Sequence, residues 1–539
     1  MMHRVASLFR GWAGGRTDAT CVLGAGFLAL LLAASAQAVP NPGLKRISVP
    51  IQYELGDVLP LDLEARGRKD LVAIEVDRSR RDAPPQVEVF RQTDDGFTPV
   101  PTAAEALPFN VTMVGVGKFQ QGPGLVLLTP TGVEVRIWRD GRFRATPGMT
   151  LALESLFPKA DGDPQGGVDW VTDLSGDGLS ELVVPRLDGF TVVGQNTAGA
   201  LVQRAVLRTR PNGELLRWYR RQKVAYDLPA VAYVDMHTPG GWKSVVAYTN
   251  GVLSIFHLNG QMNGGDHAPD VEADLQPPTV FDPKAPWDPP LLLIMAADLN
   301  KDGLLDLVFS KASSGENELN AQTRILIYYG KADPKGGIRF STEADQVFAL
   351  EGFTLPILLD LDGDGSKDLV LVNVEFTYWT MIKALVARSV SADAAYYRMR
   401  GRTQYPKQPD SQGSFSVKFQ TGRFSHQPIS LFGDFNGDGL PDLLLSTSAD
   451  TLGVHWGRKD GDWKERPDEL IQDSFPIAPA RVQVLDLDGD GRDDLLITYT
   501  RDDIRQMPAV NHTFTVLLSR FGKPNPAKPA GAATAARGN

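Results

Sequence analysis

The sequence has one cysteine among 539 residues. That residue, Cys21, sits near the N-terminus, just before an apolar stretch, without the small-residue context that precedes a lipid-modified cysteine. Disulfide frameworks and structural zinc thiolate sites are therefore excluded, and the fold must be held by its core and by any bound metal. Histidine is scarce as well: the chain has seven, scattered, with no His-Glu-x-x-His pair to suit a catalytic zinc. Neither a Gly-x-Ser-x-Gly elbow nor a glycine-rich phosphate loop ending in Lys-Ser/Thr occurs. The formal net charge of -10 argues against nucleic acid as the main partner.

Long apolar runs are also missing. The longest, Val22 to Ala34, falls short of the ~20 residues a membrane-spanning helix needs. With Arg4, Arg10 and Arg16 before it and Ala36-Gln37-Ala38 after it, this stretch reads as a secretory signal over residues 1–38, an uncleaved anchor being the alternative. Its removal would take the formal charge from -10 to -12. The mature chain is then expected outside the cell, in the periplasm or at the cell envelope, with no transmembrane span.

What the sequence has in abundance is one short acidic pattern. Asp360-Leu361-Asp362-Gly363-Asp364-Gly365-Ser366-Lys367-Asp368 places carboxylates at positions 1, 3, 5 and 9 of a loop and glycine at position 6, before the apolar run Leu369 to Val372. Oxygen donors at this density suit calcium, which takes about 6 to 8 of them. An EF-hand would need glutamate at position 12, which here is Leu371, and flanking helices in place of a strand-like run. Four further full copies start at Asp173, Asp298, Asp434 and Asp486. Eroded copies occur at Asp62 to Asp70, Gly117 to Gly124 and Val234 to Gly241, the last containing His237, read as a turn residue. In the first of them Arg66 stands at position 5, where a guanidinium would pair with Asp62, Glu64 or Asp70 in place of a metal.

Eight units of roughly 60 residues point to a repeat architecture. Each unit reads as four short strands; in the second these are Val111 to Val116, Leu125 to Leu128, Val133 to Trp138 and Phe143 to Ala145. Four strands per unit match a propeller blade. The last unit stops after its third strand, Phe514 to Leu518, while Ile47 to Ile51 precedes the first loop without a unit of its own. The expected fold is therefore an all-β propeller of four-stranded antiparallel blades over residues 39–522, closed by the N-terminal strand.

These loops and the strands after them resemble the FG-GAP or VCBS repeats, whose relatives include the propellers of integrin α-subunits. Those propellers have seven blades, which stands as the alternative to eight, and the family's Phe-Gly-Gly-Ala-Pro signature is reduced here to Phe432-Gly433. The resemblance implies calcium held by side chains at positions 1, 3, 5 and 9 and by the backbone carbonyl at position 7. The ligand sets would be Asp173, Ser175, Asp177, Leu179 and Glu181; Asp298, Asn300, Asp302, Leu304 and Asp306; Asp360, Asp362, Asp364, Ser366 and Asp368; Asp434, Asn436, Asp438, Leu440 and Asp442; and Asp486, Asp488, Asp490, Arg492 and Asp494. About five Ca2+ ions would bring the mature formal charge from -12 to about -2.

Two insertions interrupt the repeat, at about 208–223 and 376–410, and both are basic and aromatic. Arg217, Trp218, Tyr219, Arg220 and Arg221 in the first, and Trp379, Tyr396, Tyr397 and Arg398 in the second, are the candidate ligand surface; the second opens with apolar residues at helical spacing. Such side chains stack on sugars and fork onto anions, or else cap neighbouring blades. The tail 523–539, rich in Pro, Ala and Gly, is expected to be disordered. With no catalytic signature, the reading is a non-enzymatic binding or scaffolding module of the adhesion type, with a protein or glycan ligand. A polysaccharide lyase or hydrolase on the same scaffold is the alternative, resting on fold analogy alone.

Overall fold

The computed structural model describes residues 43–522, apart from 81–82, 157–168, 211–212, 219–220, 227–228, 237–240, 250, 261, 276–290, 315–320, 335–336, 375–388 and 419–428. The signal over 1–38, the tail 523–539, His237 and the helical spacing that starts at Trp379 lie outside the described residues.

The sequence alternation becomes eight blades of four antiparallel strands, paired in sequence order except in blade 8, whose fourth strand comes from the N-terminal part of the chain, while Asp266–His267 adds a short parallel strand to blade 3. Their first strands are Glu54–Leu61, Met113–Phe119, Val171–Thr172, Ala230–Val234, Leu292–Ala297, Phe353–Leu359, Ser430–Gly433 and Val482–Leu485, in blades 1 to 8. Burial follows from position in the blade. The second strand of blade 1, Asp70–Val76, is buried along its whole length, as is Ser244–Thr249 of blade 4, because neighbouring blades cover both faces. The fourth strand of blade 5, Gln346–Glu351, alternates half-buried and exposed residues, as an outer edge with one wet face should. Continuous Val/Leu runs therefore mark second strands.

The core is distributed. Eight clusters of buried apolar side chains each bridge two adjacent blades, so the ring has no single centre of hydrophobic packing. Each fully buried Val, Leu or Phe in them contributes about 1.5–3 kcal/mol. The junction between blades 8 and 1 is as complete as the others: Val49, Val58, Leu71, Phe90, Leu496, Phe514 and Val516 meet there. Closure is made by Leu44–Pro50, which pairs with Thr513–Ser519 from Leu44↔Ser519 to Pro50↔Thr513 and becomes the fourth strand of blade 8. No strand edge is left at the seam.

Two expectations need correction. In blade 2, Phe143 pairs only with Trp138 in a short hairpin, and the fourth strand is Met149–Ala152, paired with Gly132–Arg139. The turn Asp140-Gly141, with φ of 52° and 76°, folds the chain back before it reaches the blade edge. The second insertion is shorter than 376–410, because Ser389–Tyr397 is the third strand of blade 6 and carries Val390 in register with Val417. Ala394, Tyr396 and Tyr397 there serve blade packing, and their β-branched and aromatic neighbours were hidden among the arginines that follow.

Candidate metal centres

The acidic loops join the first and second strands of their blades, and their backbone is fixed by their own carboxylates. The position 1 aspartate accepts the N–H of position 6: Gly178 to Asp173 at 3.0 Å, Gly303 to Asp298 at 2.9 Å, Gly365 to Asp360 at 2.8 Å, Gly439 to Asp434 at 2.9 Å and Gly491 to Asp486 at 3.0 Å. These five glycines have φ between 83° and 88°, a left-handed conformation in which a side chain is strained. The position 5 aspartate accepts the N–H of position 7, as in Ser366 to Asp364 at 2.7 Å and Arg492 to Asp490 at 3.0 Å.

Position 9 opens the second strand and does most of the structural tying. Asp442 Oδ2 accepts the Phe435 N–H at 2.8 Å, and its Oδ1 accepts the Gly457 N–H at 2.7 Å, from the end of the third strand. Asp306 does the same for Leu299 and Gly330, Asp368 for Leu361 and Met399, and Asp494 for Leu487 and Ser519. Glu181 accepts from Leu174 at 2.8 Å. Neighbouring loops are also linked: the N–H groups of Lys69, Lys243 and Lys367 donate to the carbonyls of Leu487, Leu174 and Leu299 in the preceding blade. The loops form a belt on one face of the ring.

Without a cation these clusters are electrostatically loaded. Burial, helped by the other loop carboxylates and opposed by backbone hydrogen bonds, brings Asp306 and Asp442 up to about 7 and Asp368 up to about 6. Asp494 is raised well above the usual carboxylate range, and Asp360, Asp486 and Glu181 are raised too, burial again leading.

In two blades the carboxylates converge. Asp360, Asp362 and Asp364 in blade 6, and Asp486, Asp488 and Asp494 in blade 8, each offer an oxygen within 4.8 Å of the others. Among the described residues these are the two groups of three or more His, Cys, Asp or Glu so gathered. Buried Asp360 Oδ1 and Asp488 Oδ1 have no hydrogen-bond partner. An all-oxygen donor set with orphaned buried atoms fits a hard divalent cation of calcium's size. In blades 3, 5 and 7, Ser175, Asn300 and Asn436 stand at position 3, and no such convergence is seen.

The eroded loop of blade 1 keeps the backbone of the full loops and places an arginine at position 5. Ala65 and Gly67 hold φ of 54° and 77°, and Asp62 accepts from Arg66 N and Gly67 N at 2.9 and 2.8 Å. The Arg66 guanidinium lies 2.7 Å from Asp70 Oδ1, 3.6 Å from Glu64 Oε2 and 3.0 Å from the Gln92 carbonyl. The expected pairing of the Arg66 guanidinium with the loop carboxylates is present for Glu64 and Asp70.

The aromatic and basic candidates fall on separate elements. Arg217, Trp218 and Arg221 lie in a hairpin of strands Gly213–Trp218 and Arg221–Tyr226, whose backbones pair Trp218 with Arg221; Tyr219, Arg220 and Trp379 lie outside the described residues. Tyr396, Tyr397 and Arg398 are buried, which removes them from any ligand surface. Arg398 pairs with Asp462, an inward role that its neighbouring arginines disguised in the sequence. Arg208 pairs with Asp188 and Asp266, and Arg210 lies 2.7 Å from Glu272 and 3.0 Å from Asp274. Arg520, on Asp488 at 2.9 Å, was not singled out in the sequence; the signal was a basic residue just after the third strand, shared with Lys331, Arg400 and Arg458.

Residues 434–497, which hold the loops of blades 7 and 8, match the model of the FG-GAP-like repeat. The chain carries an FG-GAP-like repeat. Similar solved structures include an Agrocybe aegerita lectin that recognises non-reducing terminal N-acetylglucosamine, at 14% identity over 79% of this chain and 94% of that one, with a TM-score of 0.39. The V. cholerae biofilm matrix protein Bap1 is 12% identical over 89% of each chain, with a TM-score of 0.36. The WD40 domain of SCAP from fission yeast is 9% identical over 89% of this chain and 95% of that one, with a TM-score of 0.38. No curated protein matches the sequence. Among the described residues no helix is long and apolar enough to cross a membrane.

Proposed function

We propose that this FG-GAP-repeat propeller is an exported, calcium-stabilised module that binds or scaffolds a protein or glycan at the cell envelope or outside the cell, without catalysing a reaction. The observation that carries the calcium reading is the pair of carboxylate triads at equivalent corners of blades 6 and 8, each with a buried oxygen lacking a partner. Calcium there would satisfy those oxygens and cancel the mutual repulsion of the loop carboxylates. The sites are built into the seams of the ring, so bound ions act on stability first. That suits a rigid platform whose exposed loops meet a partner.

The test is calorimetry of chelator-stripped protein. Calcium is expected to raise the melting temperature by several degrees and magnesium to do less, since magnesium demands a tighter octahedral site. A melt indifferent to calcium refutes the reading. Incubation with uronic-acid polymers is expected to release no unsaturated ends, and their release would make the protein a lyase.

A further inference from the structure

Two of the five full loops carry aspartate at position 3, Asp362 in blade 6 and Asp488 in blade 8, and in both an arginine from the end of the third strand sits on that carboxylate. Arg400 Nε lies 2.7 Å from Asp362 Oδ2, and Arg520 Nη2 lies 2.9 Å from Asp488 Oδ2. The arginines are structural equivalents. Each directly follows the residue whose N–H holds the position 9 carboxylate, Met399 on Asp368 and Ser519 on Asp494.

The correspondence extends to the loops that lack the charge. In blade 7 the equivalent residue is Arg458, which follows Gly457 on Asp442; the loop there has Asn436 at position 3, and Arg458 turns away to Asp460 at 2.9 Å. In blade 5 it is Lys331, after Gly330 on Asp306, with Asn300 at position 3; Lys331 pairs with Asp345 at 2.6 Å. A basic residue at one place in the blade therefore engages the loop only where position 3 is charged. Arg400 does so from a backbone with φ of 37°, which a non-glycine residue seldom adopts, so the surrounding chain holds it there.

We propose that Arg400 and Arg520 are built-in counter-cations that weaken calcium binding at the blade 6 and blade 8 loops and hold those loops closed when the metal leaves. The inference rests on the calcium reading above. Each arginine occupies one oxygen of the position 3 carboxylate. In blade 8 the other oxygen, Asp488 Oδ1, is buried without a partner and remains for the metal. Loop affinity for calcium follows the charge of its ligands. Arg400 offsets one of the four ligand carboxylates of the blade 6 loop, leaving the carboxylate charge of the asparagine loops, which have three, and Arg492 adds a further contact on Asp490 in blade 8 at 3.1 Å. Affinity for metal and stability without it are thereby traded against each other.

The test is a calcium competition titration against a chromophoric chelator, with the full chain, alongside thermal melts in excess chelator. Arg400→Ala is expected to tighten one site about ten-fold and to lower the metal-free melting temperature, and Arg520→Ala to do the same for a second site. Arg458→Ala, the control, should change neither. Arg400→Lys keeps the charge and should keep wild-type affinity, which guards against a truncation that simply fails to fold. In an Asp362→Asn background the gain from Arg400→Ala should vanish. Unchanged or weaker calcium affinity in Arg400→Ala, with wild type still binding calcium, overturns the proposal. Wild type that binds no calcium is a different result, and it removes the calcium reading and this inference together.

Discussion

Ser519 donates its backbone N–H to Asp494 Oδ1 at 2.7 Å, and the other oxygen of the same carboxylate takes the Leu487 N–H at 2.9 Å. One buried side chain thereby fixes the loop after the first strand to the end of the third. Because Asp306, Asp368 and Asp442 repeat the arrangement, position 9 belongs to the blade as much as to any metal. Asp442→Ala would strand the Phe435 and Gly457 N–H groups in the interior, at about 2–4 kcal/mol in urea unfolding, even in chelator. Asp438→Ala, at position 5, should cost less than about 1 kcal/mol in chelator and lose calcium binding instead. Equal losses for both variants in chelator would show that position 9 has no separate structural role.

Blade 1 offers the converse experiment. Arg66 lies between Asp70 and Glu64 on a loop that repeats the left-handed glycine of the five full loops at position 6. Arg66→Asp removes the guanidinium and supplies the missing position 5 carboxylate. It is expected to raise calcium stoichiometry by one ion per chain in equilibrium dialysis and to destabilise the protein when calcium is withheld. Unchanged stoichiometry would mean that Arg91, also paired with Glu64, suffices to exclude the metal.

Much of this architecture was legible because the acidic loop recurs at a fixed place in five of the eight blades and is followed by a run of Val and Leu that only a strand buried on both faces requires. Closure was legible for the same reason: an orphan strand at Ile47 and a missing one after Leu518. Chemistry inside the blade was less so. Arg398 is sunk against Asp462 and Arg400 reaches a loop carboxylate, yet in the sequence they are two basic residues two places apart. Their fates divide at the strand end, where alternation stops and the turn at Arg400 and Gly401 redirects the chain, which hydrophobic periodicity does not encode.

Glu75, buried on the second strand of blade 1, gives a pH dependence separate from the metal loops. Burial pushes its carboxyl up to about 8, and Glu88 on the adjacent strand reinforces the shift against the N–H groups of Tyr53 and Gln52. A folded value above the unfolded one means stability is present in full below about pH 4.5 and is lost as pH rises through about 8. Glu75→Gln keeps an acceptor for both N–H groups and cannot ionise. It should match wild type near pH 5 and exceed it by about 1–3 kcal/mol near pH 9 in urea unfolding. A stability gain independent of pH would show that Glu75 does not carry this titration.

Ring closure predicts where a single charge does most damage. Val49 is 1% exposed and packs at the seam with Val58, Leu71, Leu496, Phe514 and Val516, on the strand that completes blade 8. Val49→Asp would bury an unpaired carboxylate at the junction that holds the two ends of the chain together, and should cost about 3–5 kcal/mol. Val347→Asp, on an outer strand where Val347 is 50% exposed, is expected to stay within about 0.5 kcal/mol of wild type. The distinguishing readout is cooperativity. A breached seam releases Leu44–Pro50 and bares the Thr513–Ser519 edge before the remaining blades melt, so Val49→Asp should broaden the unfolding transition and form oligomers on gel filtration. A sharp, monomeric, merely shifted transition would mean that the N-terminal strand adds stability without being what closes the ring.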